Sequence, residues 1–534
     1  MIKLKKSHGY LQNSVSFEPT IGGWYAWIQL LPPHTASLNF LNRYIPILES
    51  FINFPELHAQ AASDPKLFAG PYANLSVLAK EKIQHYLEVF SLKANELFKL
   101  ATAIIELNKE IANFTGKSFD ALYVLLPDNL RDCIELVYNE FNKPSIRYIE
   151  PLLYKKFFNI LATMQSFHVY PYDNSRSFVL STPRVSSIHN GLEINIPFKN
   201  KVYDELFGAA SIPIEVEDIA EKLAIQSTEL DAFKGLFHEE KLNKLYQSSD
   251  ELTLKYFGHA CVLIESRGKS ILIDPLIHSV KINSQENKQS YTYDDLPEKI
   301  DYVLITHSHH DHFNIETLLR IRHKIGKIIV PQNNNGSILD PSLKFALTEL
   351  GFKDISSLEE FDTIGEDSFK ITALPFWGEH ADFDIRSKTI YLVSVHNKNI
   401  MFATDMNYIN DISYNKYIDC IKQVDALFIG TEFVGASADW LYGSVILSEF
   451  SHQNKFSRRL CSSNAEKGYK LAKTINAKSV YIYALGQEPW LSHIMGMKHN
   501  TDSLQSREAD KLVHLLSQDG ICAKKLYWSD NINI

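Results

Sequence analysis

The chain is 534 residues long, with 45% apolar and 22% charged residues, an ordinary composition for a soluble globular protein. Its net charge of −9 lacks the basic footprint of non-specific nucleic-acid binding, and its five cysteines (Cys133, Cys261, Cys420, Cys461, Cys522) form no CxxC pair and no disulfide framework. The length exceeds what one hydrophobic core usually supports, at about 150 residues per domain, and two large domains are expected.

The first 14 residues, MIKLKKSHGYLQNS, carry lysines with no apolar run behind them, so they do not read as a secretory signal. No stretch approaches the ~20 apolar residues that span a bilayer, and a cytoplasmic protein with no membrane partner is expected. Ser76–Asn108 carries apolar residues at helical spacing, through Ile83, Tyr86, Leu87, Val89 and Phe90, and predicts one or two amphipathic helices. Asp120–Phe141 reads as a further helix, and Ser177–Leu180 and Leu192–Pro197 as short strands bounded by Ser, Pro, Asn and Gly. No repeat and no metal or phosphate motif marks this half.

The pattern changes near Ser248–Leu252, which divides the chain into an amino-terminal α/β domain, 1–247, and a second domain, 248–534. Leu252–Phe257, Val262–Glu265 and Ser270–Ile273 predict a strand–turn–strand opening. Strands at Tyr302–Ile305, Lys327–Val330, Thr389–Val395, Asn399–Phe402, Ala426–Ile429 and Ser479–Ile482 then alternate with helices at Ile315–Lys324 and Asn464–Ile475. Alternation after opening hairpins predicts an α/β sandwich.

Thr306-His307-Ser308-His309-His310-Asp311-His312 follows a fully apolar strand and precedes a helix. His307 and His309 are two apart and project to one side in extended chain. Two imidazoles close on one ion, while Asp311 and His312 reach a second; His310 lies between ligand positions and is not itself expected to bind.

His307-x-His309-x-Asp311-His312 resembles the signature of the metallo-β-lactamase superfamily. Gly258-His259-Ala260-Cys261-Val262-Leu263-Ile264-Glu265 and Ile271-Leu272-Ile273-Asp274-Pro275 resemble the strands that open that αββα sandwich. The resemblance implies that Asp274 braces the metal loop and that His259 sits near the site without binding metal. Hydrolases of this fold add a third histidine, a bridging Asp and a last histidine. Asp405, leaving strand Asn399–Phe402, suits the bridge. In Gly378-Glu379-His380 either Glu379 or His380 suits the third position. No histidine stands at the exit of Val480–Ile482, where Tyr483–Trp490 follows, and His493 reads as an ordinary helix or loop histidine.

These departures resemble, over essentially the whole chain, the diiron β-hydroxylases of nonribosomal peptide biosynthesis, the group that serves the chloramphenicol pathway. In that group Gly-Glu-His supplies a Glu as third ligand. The resemblance implies one iron on His307, His309 and Glu379, another on Asp311 and His312, Asp405 bridging, and Glu432 as a nearby carboxylate that modulates an oxo- or carboxylate-bridged diiron cluster. It implies an O2-dependent monooxygenase that hydroxylates the β-carbon of an amino acid tethered to a nonribosomal peptide synthetase thiolation (carrier) domain. With no flavin, haem or iron–sulfur motif in the chain, it also implies an external reductase. A homodimer is implied, with domain 1–247 covering the site, dimerising and docking the carrier. Phe376, Trp377, Phe383 and Trp490 flank the candidate ligands and suit either a substrate pocket or core packing. The competing expectation is a dinuclear zinc hydrolase that uses His380 in place of Glu379.

Overall fold

The computed structural model describes residues 8–172, 176–189, 191–240, 246, 250–283, 289–366, 369–410, 421, 423–432, 435–448, 451–497 and 500–534. The chain forms two compact units. The first comprises Met1–Glu240 with Asn333–Phe352 and Leu441–Phe450; the second comprises Lys241–Gln332, Lys353–Trp440 and Ser451–Ile534. The expected boundary at 247/248 lies outside the described residues. Neither unit is continuous in sequence, and side-chain hydrogen bonds show why. Buried Glu150 accepts from the Ser342 N–H at 3.2 Å, and Asn42 and Arg43 donate to the carbonyls of Ser444 and Leu441 at 2.8 and 3.0 Å.

In the first unit an antiparallel sheet runs Trp24–Tyr25, Val15–Ile21, Gln165–Pro171, Leu192–Ile194. Strand Val15–Ile21 is buried on both faces. Phe17 packs on Phe167 and Phe207, whereas Ser16, Glu18 and Thr20 face the other way, as the period-2 pleat requires. Glu18 is held by Arg184 and Arg176, each through an Nε–H at 2.8 Å. Helices Lys80–Lys93 and Asn95–Ile111 occupy the expected helical stretch, and Leu97, Leu100, Ala101, Ile104, Leu107 and Ile111 form the buried stripe of the second.

Two expectations are corrected here. Asp120–Phe141 is not one helix: the helix stops at Leu125, and Ile134–Tyr138 is a strand paired with Pro144–Tyr148. Pro127 pushes Leu126 to extended backbone, and the alternation of buried Ile134 and Leu136, with β-branched Val137 beside them, takes over. Ser177–Leu180 is not a strand; it leads into a turn closed by Thr182 N–H to Phe178 O at 3.2 Å.

In the second unit, two seven-stranded sheets stand among the described residues. One runs Ile355–Leu358, Ile325–Pro331, Ile300–Leu304, Lys269–Ile273, Cys261–Ser266, Thr253–Gly258, Asp530–Ile532. The other runs Thr363–Glu366, Phe369–Leu374, Ile390–Val395, Lys398–Thr404, Ala426–Ile429, Ser479–Ile482, Cys522–Lys525. Their inner faces share one core that includes Val262, Ile271, Leu304, Ile329, Ile371, Val393, Ile400 and Phe428. Helices Ala465–Thr474 and Leu504–Gln518 bury Leu471, Ala472, Leu512 and Leu516 against Leu427, Ile429 and Val480. This is the expected αββα sandwich. No described helix is long and apolar enough to cross a membrane.

Removing Glu18 would leave two arginines in the first unit without their shared counter-charge. Glu18→Ala is expected to destabilise that unit by about 3–5 kcal/mol, read as a lower denaturant midpoint.

Candidate metal centre

Strand Ile300–Leu304 runs parallel to Lys269–Ile273 and Ile325–Pro331, so its carboxyl end delivers the next residues to the sheet edge where sites form in α/β folds. Asp274 leaves the neighbouring strand and accepts from Thr306 twice, from N–H at 2.7 Å and Oγ1–H at 2.5 Å, and from His312 Nδ1 at 2.8 Å. The second sheet grips the same loop. Thr389 N–H donates to Thr306 O at 2.8 Å, and buried Tyr391 donates through its hydroxyl to Ile305 O at 3.1 Å. The loop then closes through Phe313 N–H to His309 O, and Asn314 caps helix Ile315–Ile321 by accepting from Thr317 N–H at 2.9 Å. Asp274 thus occupies the bracing position the sequence implied.

The structure brings the expected ligands together. His307 Nε2 lies 3.2 Å from His309 Nδ1 and 3.6 Å from Asp405 Oδ2. His312 Nε2 lies 3.3 Å from the same Asp405 oxygen and 3.6 Å from Asp311 Oδ2. Two groups with metal-ligand spacing result: His307, His309 and Asp405, and His259, Asp311 and His312. One Asp405 oxygen faces both. Asp405 follows a bulge at Phe402–Thr404, and Gly430 beside it has no room for a side chain: a Cβ there would stand 3.0 Å from Asp405 Oδ1. His259 bonds Asp311 Oδ2 through Nε2 at 3.0 Å. His310 turns away and bonds Ile494 O at 2.9 Å.

Glu379 Oε1 lies 3.9 Å from His309 Nδ1, and the His380 ring stands 4.3 Å from that of His309, so both candidates for the third position adjoin the same imidazole. Glu432 accepts from Gln505 Nε2 at 3.4 Å and stands close enough for its charge to raise the Glu379 carboxyl. Phe376 lies edge-on to His307 with ring centroids 5.7 Å apart. Trp490 instead packs in a core with Leu276 and Trp528. Buried His493 lies in the short helix Ser492–Met495.

The electrostatics suit cations. Burial and the neighbouring imidazoles push His307 and His380 well below the ordinary histidine range, and burial brings His309 to about 4, so these rings are neutral donors. Burial, then Asp405 and Glu432, push Glu379 well above the ordinary carboxylate range; burial, Asp405 and Asp311 raise Glu432 to about 7. Burial opposes the ionised form of Asp311, but His312 and the His259 hydrogen bond hold it well below its usual range. Burial likewise opposes protonated His312, but Asp311, Asp405 and Asp274 hold it well above. With Nδ1 bonded to Asp274, buried His312 Nε2 makes no hydrogen bond, as a metal-ligating nitrogen requires. Metal ions therefore fit these residues.

The sequence did not reveal the backbone of the third-ligand loop. Gly378, Glu379, His380, Ala381 and Asp382 all have φ between 52° and 77°, where each non-glycine residue costs ~1–2 kcal/mol. Ties from outside hold it: Glu379 N–H to Cys461 O at 3.0 Å, Lys388 Nζ to Gly378 O at 2.6 Å, and Arg458 Nε to Ala381 O at 3.1 Å. No residue preference marks such a run, although Lys388 and Arg458 are basic residues next to buried chain. Ala381→Gly removes the Cβ penalty at φ 54°, ψ 37° and is expected to raise stability by about 1 kcal/mol in denaturant unfolding of the metal-free protein.

Comparison with known proteins identifies the family. Residues 10–241 match the diiron non-heme beta-hydroxylase N-terminal domain, and residues 253–433 match a beta-lactamase superfamily domain. The 4-amino-L-phenylalanyl-[CmlP-peptidyl-carrier-protein] 3-hydroxylase of Streptomyces venezuelae is 32% identical over 97% of this chain and 98% of its own. The crystal structure of CmlA, a diiron beta-hydroxylase from that organism, superposes with a TM-score of 0.91 at 31% identity, over 99% of this chain and 100% of CmlA. A metal-dependent hydrolase of Ligilactobacillus salivarius is 26% identical over 37% of this chain and 80% of its own. Matched from end to end by a diiron hydroxylase, and carrying that family's amino-terminal domain, this chain belongs to the diiron non-heme β-hydroxylases with a metallo-β-lactamase-fold domain.

Proposed function

We propose that this enzyme hydroxylates the β-carbon of an aminoacyl group held as a thioester on a nonribosomal peptide synthetase thiolation domain. The observation that carries the reading is the Asp405 carboxylate set between the His307/His309 and Asp311/His312 groups, in a chain matched over its whole length by a carrier-protein-dependent hydroxylase. His307, His309 and Glu379 would hold one iron, Asp311 and His312 the other, with Asp405 bridging and Glu432 beside them. The iron pair, when bound, supplies the binding and reduction of O2. The overall balance is substrate C–H plus O2, two electrons and two protons giving C–OH and water, with the electrons from a separate reductase.

The chain's own residues orient and exclude. Asp274 fixes the His312 ring and the Thr306 backbone, so that Nε2 points to the cluster. His259 fixes the Asp311 carboxylate. Phe376 packs perpendicular to the His307 ring. The anionic, oxygen-rich donor set suits iron that changes valence, whereas a nitrogen-rich set suits zinc with a hydroxide nucleophile. The dinuclear zinc hydrolase is not favoured: the matched relative is a hydroxylase, and Tyr483–Trp490 carries no last histidine.

Carrier recognition and self-association are assigned to the first unit. Among the described residues of that unit, Leu78, Leu92, Val124 and Phe141 are exposed apolar side chains available to a partner.

Protein from iron-supplemented cells is expected to hold two irons per chain and to add one oxygen atom, by mass, to an aminoacyl-loaded thiolation domain but not to the free amino acid. Two zincs with iron available, or equal turnover of the free amino acid, would refute the reading. Glu379→Ala should lose iron and turnover while His380→Ala keeps the cluster, as metal analysis of both variants will show. Chelation should abolish turnover, and ferrous iron with O2 and reductant should restore it.

A further inference from the structure

Hydrolases of this fold place a last histidine where the strand corresponding to Ser479–Ile482 ends. Here Tyr483-Ala484 follows, and the Ala484 N–H donates to the His259 carbonyl at 2.9 Å. The imidazole at that corner therefore arrives from the opposite sheet, on the turn between strands Thr253–Gly258 and Cys261–Ser266, and reaches Asp311. This turn is an unusual support. Its backbone is left-handed at Gly258 (φ 109°) and at His259 (φ 50°), where a non-glycine residue is strained. Something outside the turn has to hold it.

We propose that Glu488 is a positioning residue for the cluster: it clamps the His259 turn, and through His259 it orients Asp311 toward the second metal ion. The inference rests on the reading of Asp311 and His312 as ligands. Glu488 is 3% exposed, and its Oε1 accepts from the His259 N–H at 2.9 Å and from the Tyr256 hydroxyl at 2.7 Å. The turn is thus gripped at both polar atoms of His259, the N–H by Glu488 and the carbonyl by Ala484, from one segment of chain. The fit is close. A Cβ on Gly258 would stand 3.0 Å from Trp490 and 3.6 Å from Glu488 Cγ, and Trp490 is itself anchored between His278 and Trp528.

Glu488 Oε2 is buried and makes no hydrogen bond, so the position carries an unsatisfied polar atom that an apolar side chain would spare. What Glu488 supplies is one oxygen that accepts from two donors at once, and one of those donors is the backbone N–H of His259, so the oxygen fixes the turn from which the His259 ring projects. His259 then bonds Asp311 Oδ2 at 3.0 Å, and Asp311 lies beside His312. Groups that orient a ligand in this way typically change metal affinity about 10–100-fold when removed.

The test is titration of metal-free protein with Co2+, followed by its visible absorption, in the full-length chain. Wild type is expected to show two binding steps, one of which Asp311→Asn removes. Glu488→Ala should weaken that step about 10–100-fold and leave the other unchanged, while Glu488→Gln, whose amide oxygen still accepts from both donors, restores it. His259→Ala should weaken the same step, and the double variant should be no weaker than His259→Ala alone, because Glu488 acts through His259. If Glu488→Ala does not fold, Glu488→Asp should show the same selective weakening. Unchanged binding, equal weakening of both steps, or additive losses in the double variant would overturn the proposal and leave the dinuclear site standing. A wild type with fewer than two steps would overturn both.

Discussion

Asp311, Glu379, Asp405 and Glu432 repel one another in a buried place, and the metal domain is organised around resisting that repulsion. Each is fixed by its surroundings. Asp311 is held by His259, Glu432 by Gln505, and Glu379 by a backbone anchored to Cys461, Lys388 and Arg458. Asp405 stands where a bulge ends its strand and Gly430 leaves room. Carboxylates brought this close in a buried place are costly without cations, and that cost is what makes the site fit metal ions.

The sandwich core makes this possible. The candidate ligands on the first sheet (His307, His309, Asp311, His312) and on the second (Glu379, Asp405) meet only because the inner faces of both sheets pack on one core. Tyr391 and Thr389 then stitch the exit of the first sheet to an edge of the second at single hydrogen-bond precision. A ligand shifted by an ångström would lose its ion, so these hydrogen bonds contribute to the chemistry as well as to stability.

Much of the second domain was legible because its signals are local. The apolar strand before Thr306, the spacing of His307, His309, Asp311 and His312, and Asp405 at a strand end are patterns of period and position. The first unit was harder to read. Ser177–Leu180 has strand-like composition but gains no ladder partner, and Ile134–Tyr138 became a strand only because Pro127 ended the helix before it. Ser177–Leu180 thus depended on whether a neighbour was available to pair, which is a non-local property, whereas the hairpin of Ile134–Tyr138 with Pro144–Tyr148 is local and Pro127 marks where the helix before it ends.

The same division holds at the site. Sequence alone marked which side chains are chemically suited to hold two ions, because donor type and spacing within one short loop are local facts, and the family resemblance of Gly378-Glu379-His380 is what pointed to a carboxylate-rich set. Only the tertiary structure decided how they are held. The five-residue left-handed run at Gly378–Asp382, the bond from His259 to Asp311, and the Glu488 oxygen behind His259 join residues up to 229 positions apart. No residue preference encodes a distance of that kind; it exists only once two sheets have closed on a common core.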